Sequence, residues 1–248
     1  MVKFAVKSDR GRIREINEDS YNILAGYSGV PVSFIIADGM GGHNSGEVAS
    51  KMAVDFISNS ILEWPEGITD ADDIFGLMGK IVEKANKKVY RESLENDSNS
   101  GMGTTLTVAI IHNKKLYVAH IGDSRLYIIR EGFIKRLTID HTYVDELLRN
   151  GSLTTEEASV HPKKNLLTRA LGCSENVEVD LFECSIKNND IFMLCTDGLT
   201  NMLDEEEIKE IIEKTDELDI ACNELVSRAN EKGGEDNITV LLFKSEER

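Results

Sequence analysis

Four aspartates in this chain stand at the ends of apolar runs that are typical of buried β-strands: Asp38, Asp123, Asp197 and Asp236. A carboxylate in such a position is costly to remove from water unless a partner neutralises it. Strand ends can bring residues that are distant in sequence to one rim of a sheet. We therefore expect a fold in which several buried strands end together, with a cation between the acids that gather there.

The residue types available as ligands indicate which cation would bind. Carboxylate oxygens are hard ligands, which select Mg²⁺ or Mn²⁺ over zinc. The five histidines form no H-E-x-x-H motif and no close pair along the sequence. The alternative is that each aspartate belongs to an ordinary turn, the usual setting of an Asp-Gly step. Four such acids beside apolar runs favour a metal site over four unrelated turns.

Strand and helix patterns fall into blocks along the chain. Alternating or β-branched runs predict strands over residues 20–27, 32–37, 104–111, 116–121, 126–129, 177–182, 191–195 and 238–243. Apolar residues at helical spacing predict one helix pair, from Asn44 and over 74–89, and a second pair over 204–214 and 217–232. Consecutive hairpins between two helix pairs favour antiparallel sheets packed together and covered by helices on both sides, an α+β fold.

The bulk properties predict a single domain over residues 1–248. A chain of this length with 41% hydrophobic residues can bury roughly three-quarters of its unfolded surface, and no linker or repeat divides it. The apolar runs are far shorter than the ~20 residues of a membrane helix, and the N-terminus becomes charged at once, unlike a signal peptide. Four widely spaced cysteines are expected to be free thiols of a cytoplasmic protein.

A phosphate-cradling nucleotide loop is one alternative, because glycines follow a strand and precede a helix. The G-x-G-x-x-G pattern that starts at Gly39 fails at Asn44, no Walker lysine is present, and Asp38 would face the phosphates with the wrong charge. In the metal interpretation, Gly39 instead lets its backbone carbonyl approach an ion that Asp38 already holds.

Two chemistries that use a side-chain nucleophile also fit poorly. Cys222 and Arg228 have the C-x5-R spacing of a cysteine phosphatase, but the residues between them contain no glycine and lie in an acidic helical stretch. An aspartyl-phosphate mechanism of the D-x-D-x-T type needs a second acid two residues from Asp38 or Asp197, and neither has one. A metal-bound water is the nucleophile that remains.

Seven short motifs follow one another along the chain: REINED (14–19), ADGMGGH (37–43), GTT (103–105), GDSR (122–125), LTRALG (167–172), CTDGL (195–199) and GEDNI (234–238). This ordered set resembles the metal-dependent PPM (type-2C) family of protein Ser/Thr phosphatases, in particular its compact bacterial members. Any one motif is common, whereas the ordered set, which spans nearly the whole chain, is specific. The resemblance implies a four-layer αββα sandwich, with two mainly antiparallel sheets flanked by helix pairs.

The same resemblance implies a binuclear Mn²⁺ or Mg²⁺ centre at one end of the sheets. Asp38 would bridge both ions, the Gly39 carbonyl would bind one of them, and Asp197 and Asp236 would hold the other. Asp123, with Asp197, matches a third and weaker metal position of bacterial relatives. A water that bridges two divalent ions is substantially ionised at neutral pH and attacks phosphorus in line.

Residues around these ligands also receive roles from the resemblance. Glu18 and Asp19 would orient metal-bound waters, and Asn237 would support the site from behind the ligands. Arg14 would grip two oxygens of the substrate phosphate with its guanidinium. The alternative for Arg14 is a surface ion pair with nearby Glu15 or Glu18.

The acid that protonates the leaving alcohol stays open. Animal members of the family carry a histidine directly after the Asp-Gly, where this chain has Met40, and His43 follows three residues later. Methionine cannot donate a proton. Either His43 reaches over, a metal-bound water serves, or no acid is needed.

Residues 140–165 resemble the flap of bacterial relatives, a region that lies beside the metal site. Residues 142–148 predict a short helix, and residues 154–158 predict the start of another. The low apolar content of the segment is consistent with a mobile loop. The alternative is an inert surface insertion.

The predicted function is a cytoplasmic protein Ser/Thr phosphatase with two tightly bound Mn²⁺ or Mg²⁺ ions and a third, weaker one. Its partners would be phosphorylated proteins, the substrates of a Ser/Thr protein kinase. A net charge of −16 repels nucleic acid and anionic membranes, so neither is expected as a partner, and a monomer is expected. The alternative is a scaffold that keeps the fold and lacks turnover, although a scaffold has no need for clustered unpaired acids.

Overall fold

The computed structural model describes residues 2–41, 45–68 and 70–245. Eleven strands lie in this part of the chain: β1 Val2–Asp9, β2 Asp19–Leu24, β3 Val32–Met40, β4 Gly103–Thr104, β5 Leu106–His112, β6 Lys115–Ile121, β7 Arg125–Arg130, β8 Phe133–Arg136, β9 Asp180–Ser185, β10 Ile191–Cys195 and β11 Ile238–Ser245. Seven α-helices lie in the same ranges: α1 Gly46–Leu62, α2 Ala71–Glu95, α3 Tyr143–Arg149, α4 Thr155–Ser159, α5 Asp197–Thr200, α6 Glu205–Glu213 and α7 Leu218–Glu231.

The strands form two sheets whose neighbouring strands pair antiparallel. One, the β11 sheet, has the order β1-β11-β10-β7-β8, and the other, the β3 sheet, has the order β2-β3-β5-β6-β9 with β4 beside β3. Helices α1 and α2 cover the β3 sheet, and α6 and α7 cover the β11 sheet. The predicted fold class, a four-layer αββα sandwich, is confirmed.

The layer between the two sheets fixes how their ends meet. Phe34 of β3 and Phe243 of β11 stack with ring centroids 4.0 Å apart, and Phe192 of β10 lies 5.1 Å from Phe243. All three rings are completely buried. These strands carry or adjoin three of the four strand-end aspartates, so packing between the sheets also sets the spacing of those acids.

The predicted helices are present, with caps that explain where they begin. The Asp204 side chain accepts from the Glu207 N–H and the Glu207 side chain accepts from the Asp204 N–H, a capping box at the start of α6. In α2, buried residues recur at helical spacing from Ile74 to Val89. The predicted first residue of α1, Asn44, lies outside the described residues. That helix is described from Gly46 onward.

Some elements differ from the sequence patterns. Strand β1 was not predicted because its own pattern is weak: only Ala5 is buried, yet all eight of its residues pair with β11. The predicted strand over 104–111 is divided at Thr105, where β4 ends and β5 begins. The strand predicted over 177–182 occupies Asp180–Ser185, and α5 was not predicted. Among the described helices, none is long and apolar enough to cross a membrane.

The predicted flap, residues 140–165, contains the two expected short helices, α3 and α4. Its two ends meet in a short paired segment, the flap stem, formed by residues 141–143 and 166–168. There Thr142 bridges Leu167, the Tyr143 N–H donates to the Leu166 carbonyl, and the Thr168 N–H donates to the His141 carbonyl, each at 2.8 Å. The stem joins the flap to the rim where the acids lie.

Candidate metal centre

The four strand-end aspartates share one cleft. They come from β3, from the loop between β6 and β7, from the first turn of α5 and from the segment before β11. The cleft has a volume of about 370 Å³ and is lined by Asp38, Asp123, Asp197, Asp236, Arg14, Glu18, Gly39, Met40, Gly41, Thr105, Asn165, Leu166 and Leu167. The structure thus brings together acids that are separated by up to two hundred residues of sequence. The flap stem contributes to the wall.

A threonine that the sequence argument did not single out holds two of these acids in relation to each other. The Asp38 N–H donates to Thr105 Oγ1 at 2.8 Å, and the Thr105 N–H donates to the Asp38 carbonyl at 2.9 Å. Thr105 Oγ1 also lies 2.8 Å from Ser124 Oγ, beside Asp123. The G-T-T motif was the available signal, but its role depends on contacts across the β3 sheet.

The gathered acids raise one another's pKa. Burial, followed by the negative charges of Asp19 and Asp197, raises the pKa of Asp38 well above its ordinary value. Burial and the charge of Asp197 raise the pKa of Asp123 to about 8. Burial and the charge of Asp236 raise the pKa of Asp197, an effect that hydrogen bonds with Asn201 and Asp38 partly offset. Carboxyl groups held this close at neutral pH must share protons or bind cations.

The donor chemistry of the cleft fits a hard divalent cation. Its acids offer oxygen, and none of its described lining residues is a histidine or cysteine. At the edge of the group, Asp19 Oδ2 accepts from the hydroxyls of Thr196 at 3.0 Å and Thr239 at 2.6 Å, while Asp19 Oδ1 is buried without a partner. Within the described ranges, no group of three or more Asp, Glu, His or Cys side chains is already arranged so that it could hold a metal ion.

Two of the carboxylates already have a polar partner. Arg14 Nη2 donates to Asp236 Oδ2 at 2.7 Å, with 48% and 30% of the two side chains exposed, and Asn201 Nδ2 donates to Asp197 Oδ2 at 3.0 Å. The ion pair that the sequence argument considered for Arg14 exists, but its partner is Asp236 rather than Glu15 or Glu18. Arg14 therefore reaches into the cleft.

The loop before β2 is anchored by Asn237, which is 2% exposed. Its Nδ2 donates to the carbonyls of Arg10 and Ile16, each at 2.9 Å, and its Oδ1 accepts from the Glu18 N–H at 2.8 Å. The Glu18 side chain accepts from the Gly46 N–H at the start of α1, and burial raises its pKa. Asn237 thus holds the segment that presents Arg14 and Glu18.

The structure supplies a second reason for glycine at position 39, beside the predicted approach of its carbonyl to a metal ion. A Cβ there would lie 2.1 Å from the Gly46 carbonyl oxygen and 2.7 Å from the Glu18 carbonyl oxygen. Close packing of β3 against the start of α1 and against the loop before β2 therefore excludes any larger residue, whatever the Gly39 carbonyl binds. This packing cause was not predicted from the sequence, and the metal-binding role of the Gly39 carbonyl stays a prediction.

The structure bears differently on two alternatives from the sequence: a histidine as the proton donor and a cysteine as the nucleophile. Met40 lines the cleft, and His43 lies outside the described residues, so the proton donor stays unassigned. Cys222 is buried in α7, where burial raises the pKa of its thiol to about 12, and Arg228 pairs with Glu231. A protonated, buried thiol away from the acidic cleft does not support cysteine chemistry.

Comparisons with known proteins agree with this geometry. Residues 12–233 match the family model described as Protein phosphatase 2C. The serine/threonine phosphatase stp of Listeria monocytogenes is 43% identical over 242 residues, covering 96% of this chain and 94% of that protein. The serine/threonine phosphatase of S. agalactiae has a TM-score of 0.93 at 36% identity, covering 99% of this chain and 100% of that one. The catalytic domain of the phosphatase PstP, solved with two manganese ions, has a TM-score of 0.85 at 33% identity and 99% coverage of both chains.

Proposed function

The chain belongs to the protein phosphatase 2C family and is a serine/threonine protein phosphatase, and we propose that it hydrolyses phosphoserine and phosphothreonine at a binuclear Mn²⁺ or Mg²⁺ centre. The observation that carries the proposal is the shared cleft, in which Asp38, Asp123 and Asp197 all have raised pKa values because they are buried beside one another. A relative's structure with two manganese ions supports the choice of metal.

Four residues would hold the two tightly bound ions. We assign the bridging position to the Asp38 carboxylate, one ion to the Gly39 carbonyl, and the other ion to Asp197 and Asp236. Asp123, together with Asp197, would hold a third and weaker ion. When bound, such ions would activate water as a nucleophile and neutralise charge on the phosphate.

The surrounding residues position the substrate and the water. Arg14, half exposed at the cleft edge and 2.7 Å from Asp236, would bind two oxygens of the phosphate through its guanidinium. Glu18 and Asp19 would orient water: Glu18 lines the cleft, and the charge of Asp19 acts on Asp38. Thr196 and Thr239 keep Asp19 in place by donating to its Oδ2.

The biological setting follows from the same chemistry. We propose that the substrates are phosphoproteins made by a Ser/Thr protein kinase, and that residues 1–248 act as a single catalytic domain and as a monomer. The four cysteines are free, which is consistent with a reducing compartment such as the cytoplasm.

The test is hydrolysis of a phosphothreonine peptide by the purified protein with Mn²⁺ and after EDTA treatment. We expect turnover with Mn²⁺ and none after EDTA, with recovery when Mn²⁺ is restored. Asp38→Asn should abolish turnover, whereas Asp216→Asn, an equally conservative change at an exposed position, should not. Full activity in metal-free protein would overturn the proposed mechanism.

A further inference from the structure

His141 is a buried histidine beside the cleft that the proposed chemistry does not use. It is 1% exposed and begins the flap stem. Its ring lies 5.0 Å, centroid to centroid, from that of His120, although the two are far apart in sequence. His120 has its own partners, the Thr107 hydroxyl at 2.9 Å and the Ile139 carbonyl at 3.0 Å. The contacts of His141 are of a different kind.

Both ring nitrogens of His141 are engaged, and together they define its tautomer. The Gly122 N–H donates to Nδ1 at 3.0 Å, so Nδ1 carries no proton. Nε2 lies 3.1 Å from Asp180 Oδ2 and donates to it. Burial lowers the pKa of His141, which is consistent with the neutral ring that this pattern requires. Asp180 is held in turn by Arg169 Nη1 at 3.0 Å.

The residue that His141 grips, Gly122, directly precedes Asp123. The His141 N–H donates to the Gly122 carbonyl at 2.8 Å, so side chain and backbone of His141 together hold both polar groups of one peptide residue. Gly122 has φ +102°, and a Cβ there would lie 2.6 Å from a methyl carbon of Thr105. The loop that carries Asp123 is therefore confined between Thr105 on one side and His141 on the other.

His141 also makes a backbone contact within the flap stem. The His141 carbonyl accepts from the Thr168 N–H at 2.8 Å, which makes the residue part of the paired stem. The stem also contains Leu166 and Leu167, which line the cleft. One buried residue thus connects the Asp123 loop, the flap stem and, through Asp180, strand β9.

We propose that His141 is a positioning residue for Asp123, holding the Gly122–Asp123 loop to the flap stem so that the Asp123 carboxylate faces the cleft at the place of the third, weaker ion. This rests on the role proposed above for Asp123. A histidine that only filled space would contribute to folding, whereas a positioning histidine also sets the affinity of that one ion.

Three variants separate these roles. His141→Asn keeps an acceptor near the place of Nδ1, whereas His141→Leu has a similar volume and no acceptor. His161→Leu, in the flap and without a contact to Gly122 among the described bonds, is the matched control. For each, bound Mn²⁺ is counted by the EPR signal of free Mn²⁺ during titration, kcat is measured against Mn²⁺ concentration, and thermal unfolding reports the fold.

We expect His141→Leu to keep two tightly bound ions and to require roughly tenfold more Mn²⁺ for half-maximal kcat, the effect of leaving one buried donor unpaired. His141→Asn should recover most of that loss, and His161→Leu should match the wild type. In an Asp123→Asn background, His141→Leu should add no further shift. If His141→Leu does not fold, His141→Gln replaces it, since its amide N–H reaches the place of Nε2 and leaves the Gly122 N–H without the Nδ1 acceptor.

The outcomes distinguish the positioning role of His141 from the third-ion role of Asp123. A folded His141→Leu or His141→Gln protein with wild-type Mn²⁺ dependence, beside a shifted Asp123→Asn protein, would overturn the positioning role alone. No shift in Asp123→Asn would reject the third-ion assignment and the positioning role with it. An equal shift in His141→Asn and His141→Leu would also overturn the proposal, because the Nδ1 acceptor would then not matter.

Discussion

At the scale of single residues, Arg14 is the one basic side chain among the described residues that line the cleft. Its guanidinium donates to Asp236, one of the proposed ligands, from a loop that Asn237 anchors. A half-exposed ion pair stabilises the fold only slightly. The role proposed for the Arg14 guanidinium is therefore to bind the substrate phosphate, not to stabilise the fold.

Arg14→Ala should mainly raise KM, because it removes the proposed phosphate contact and leaves the ligands in place. A charged, two-pronged contact contributes about 1.5–3 kcal/mol, or roughly ten- to a hundredfold in kcat/KM. The kcat/KM of Arg14→Lys should lie between those of the wild type and Arg14→Ala, since lysine keeps the charge but lacks the two-pronged guanidinium. Steady-state kinetics on aryl phosphate and on a phosphothreonine peptide provide the measurement. Unchanged kinetics on both would leave Arg14 as an ion-pair partner of Asp236 only.

Asp123→Asn addresses the third ion. The substitution keeps size and one oxygen but removes the charge that holds a hard dication, so affinity should fall at that ion alone. We expect a folded protein with two tightly bound metals, much reduced turnover and a need for higher Mn²⁺. Asp38→Asn should instead empty the centre, because both proposed ions would share its carboxylate.

The deciding measurement for Asp123 combines kcat against Mn²⁺ concentration with bound-metal stoichiometry. If Asp123 only shaped the turn before Ser124, its loss would cost a little stability and leave turnover per folded molecule unchanged. A wild-type kcat with an unshifted Mn²⁺ dependence would therefore reject the third-ion role.

At the scale of elements, helix α6 contributes no residue to the described lining of the cleft. Helix α6 packs on the β11 sheet through Ile208, Ile211 and Ile212, far along the chain from the loop before β2. Its capping box was readable in the sequence because Asp204 and Glu207 are only three residues apart. Changes there should affect stability without affecting catalysis.

Asp204→Ala removes the side chain that accepts from the Glu207 N–H at 2.9 Å. Loss of an N-cap costs about 1 kcal/mol, which lowers Tm by about 2–4 °C in a protein of this size. Calorimetry should show that decrease, with kcat and KM unchanged. Glu224→Ala, at an exposed position within α7, is the control and should leave Tm unchanged. A loss of activity in folded Asp204→Ala would show that α6 is coupled to the cleft.

At the scale of the whole molecule, the two sheets act as the frame of the site. The stacked rings of Phe34 and Phe243 lie in the layer between them, and the acids stand where strands of both sheets end. The cleft is therefore a joint product of two sheets, and neither sheet contains it alone. A substitution that loosens the layer between the sheets should lower both the stability of the fold and the affinity for metal.

Phe243→Ala should lower the free energy of unfolding by about 3–5 kcal/mol, because it opens a cavity in a fully buried layer. Phe133→Ala, at a ring that is 76% exposed, should change it by less than about 0.5 kcal/mol. Urea titration of both variants provides the comparison. Equal effects at the two positions would show that the layer between the sheets is not where the fold draws its stability.

Local patterns were enough to predict the sandwich, its two helix pairs and the four aspartates of the cleft. Hydrophobic periodicity and acids beside apolar runs are visible within ten residues of sequence, and a buried carboxylate without a partner is costly wherever the strand lies. Apart from the four aspartates and Gly39, the site residues came from the resemblance of the ordered motifs. The roles of all the site residues stay predictions.

The contacts that join distant segments came from the folded chain alone. Strand β1 pairs with β11 across the whole sequence, Arg14 meets Asp236, and His141 holds Gly122. Gly39 is glycine because α1 packs against it. Each of these depends on how two sheets and a flap stem pack together, and such long-range packing leaves no periodic signal in the segments that it joins.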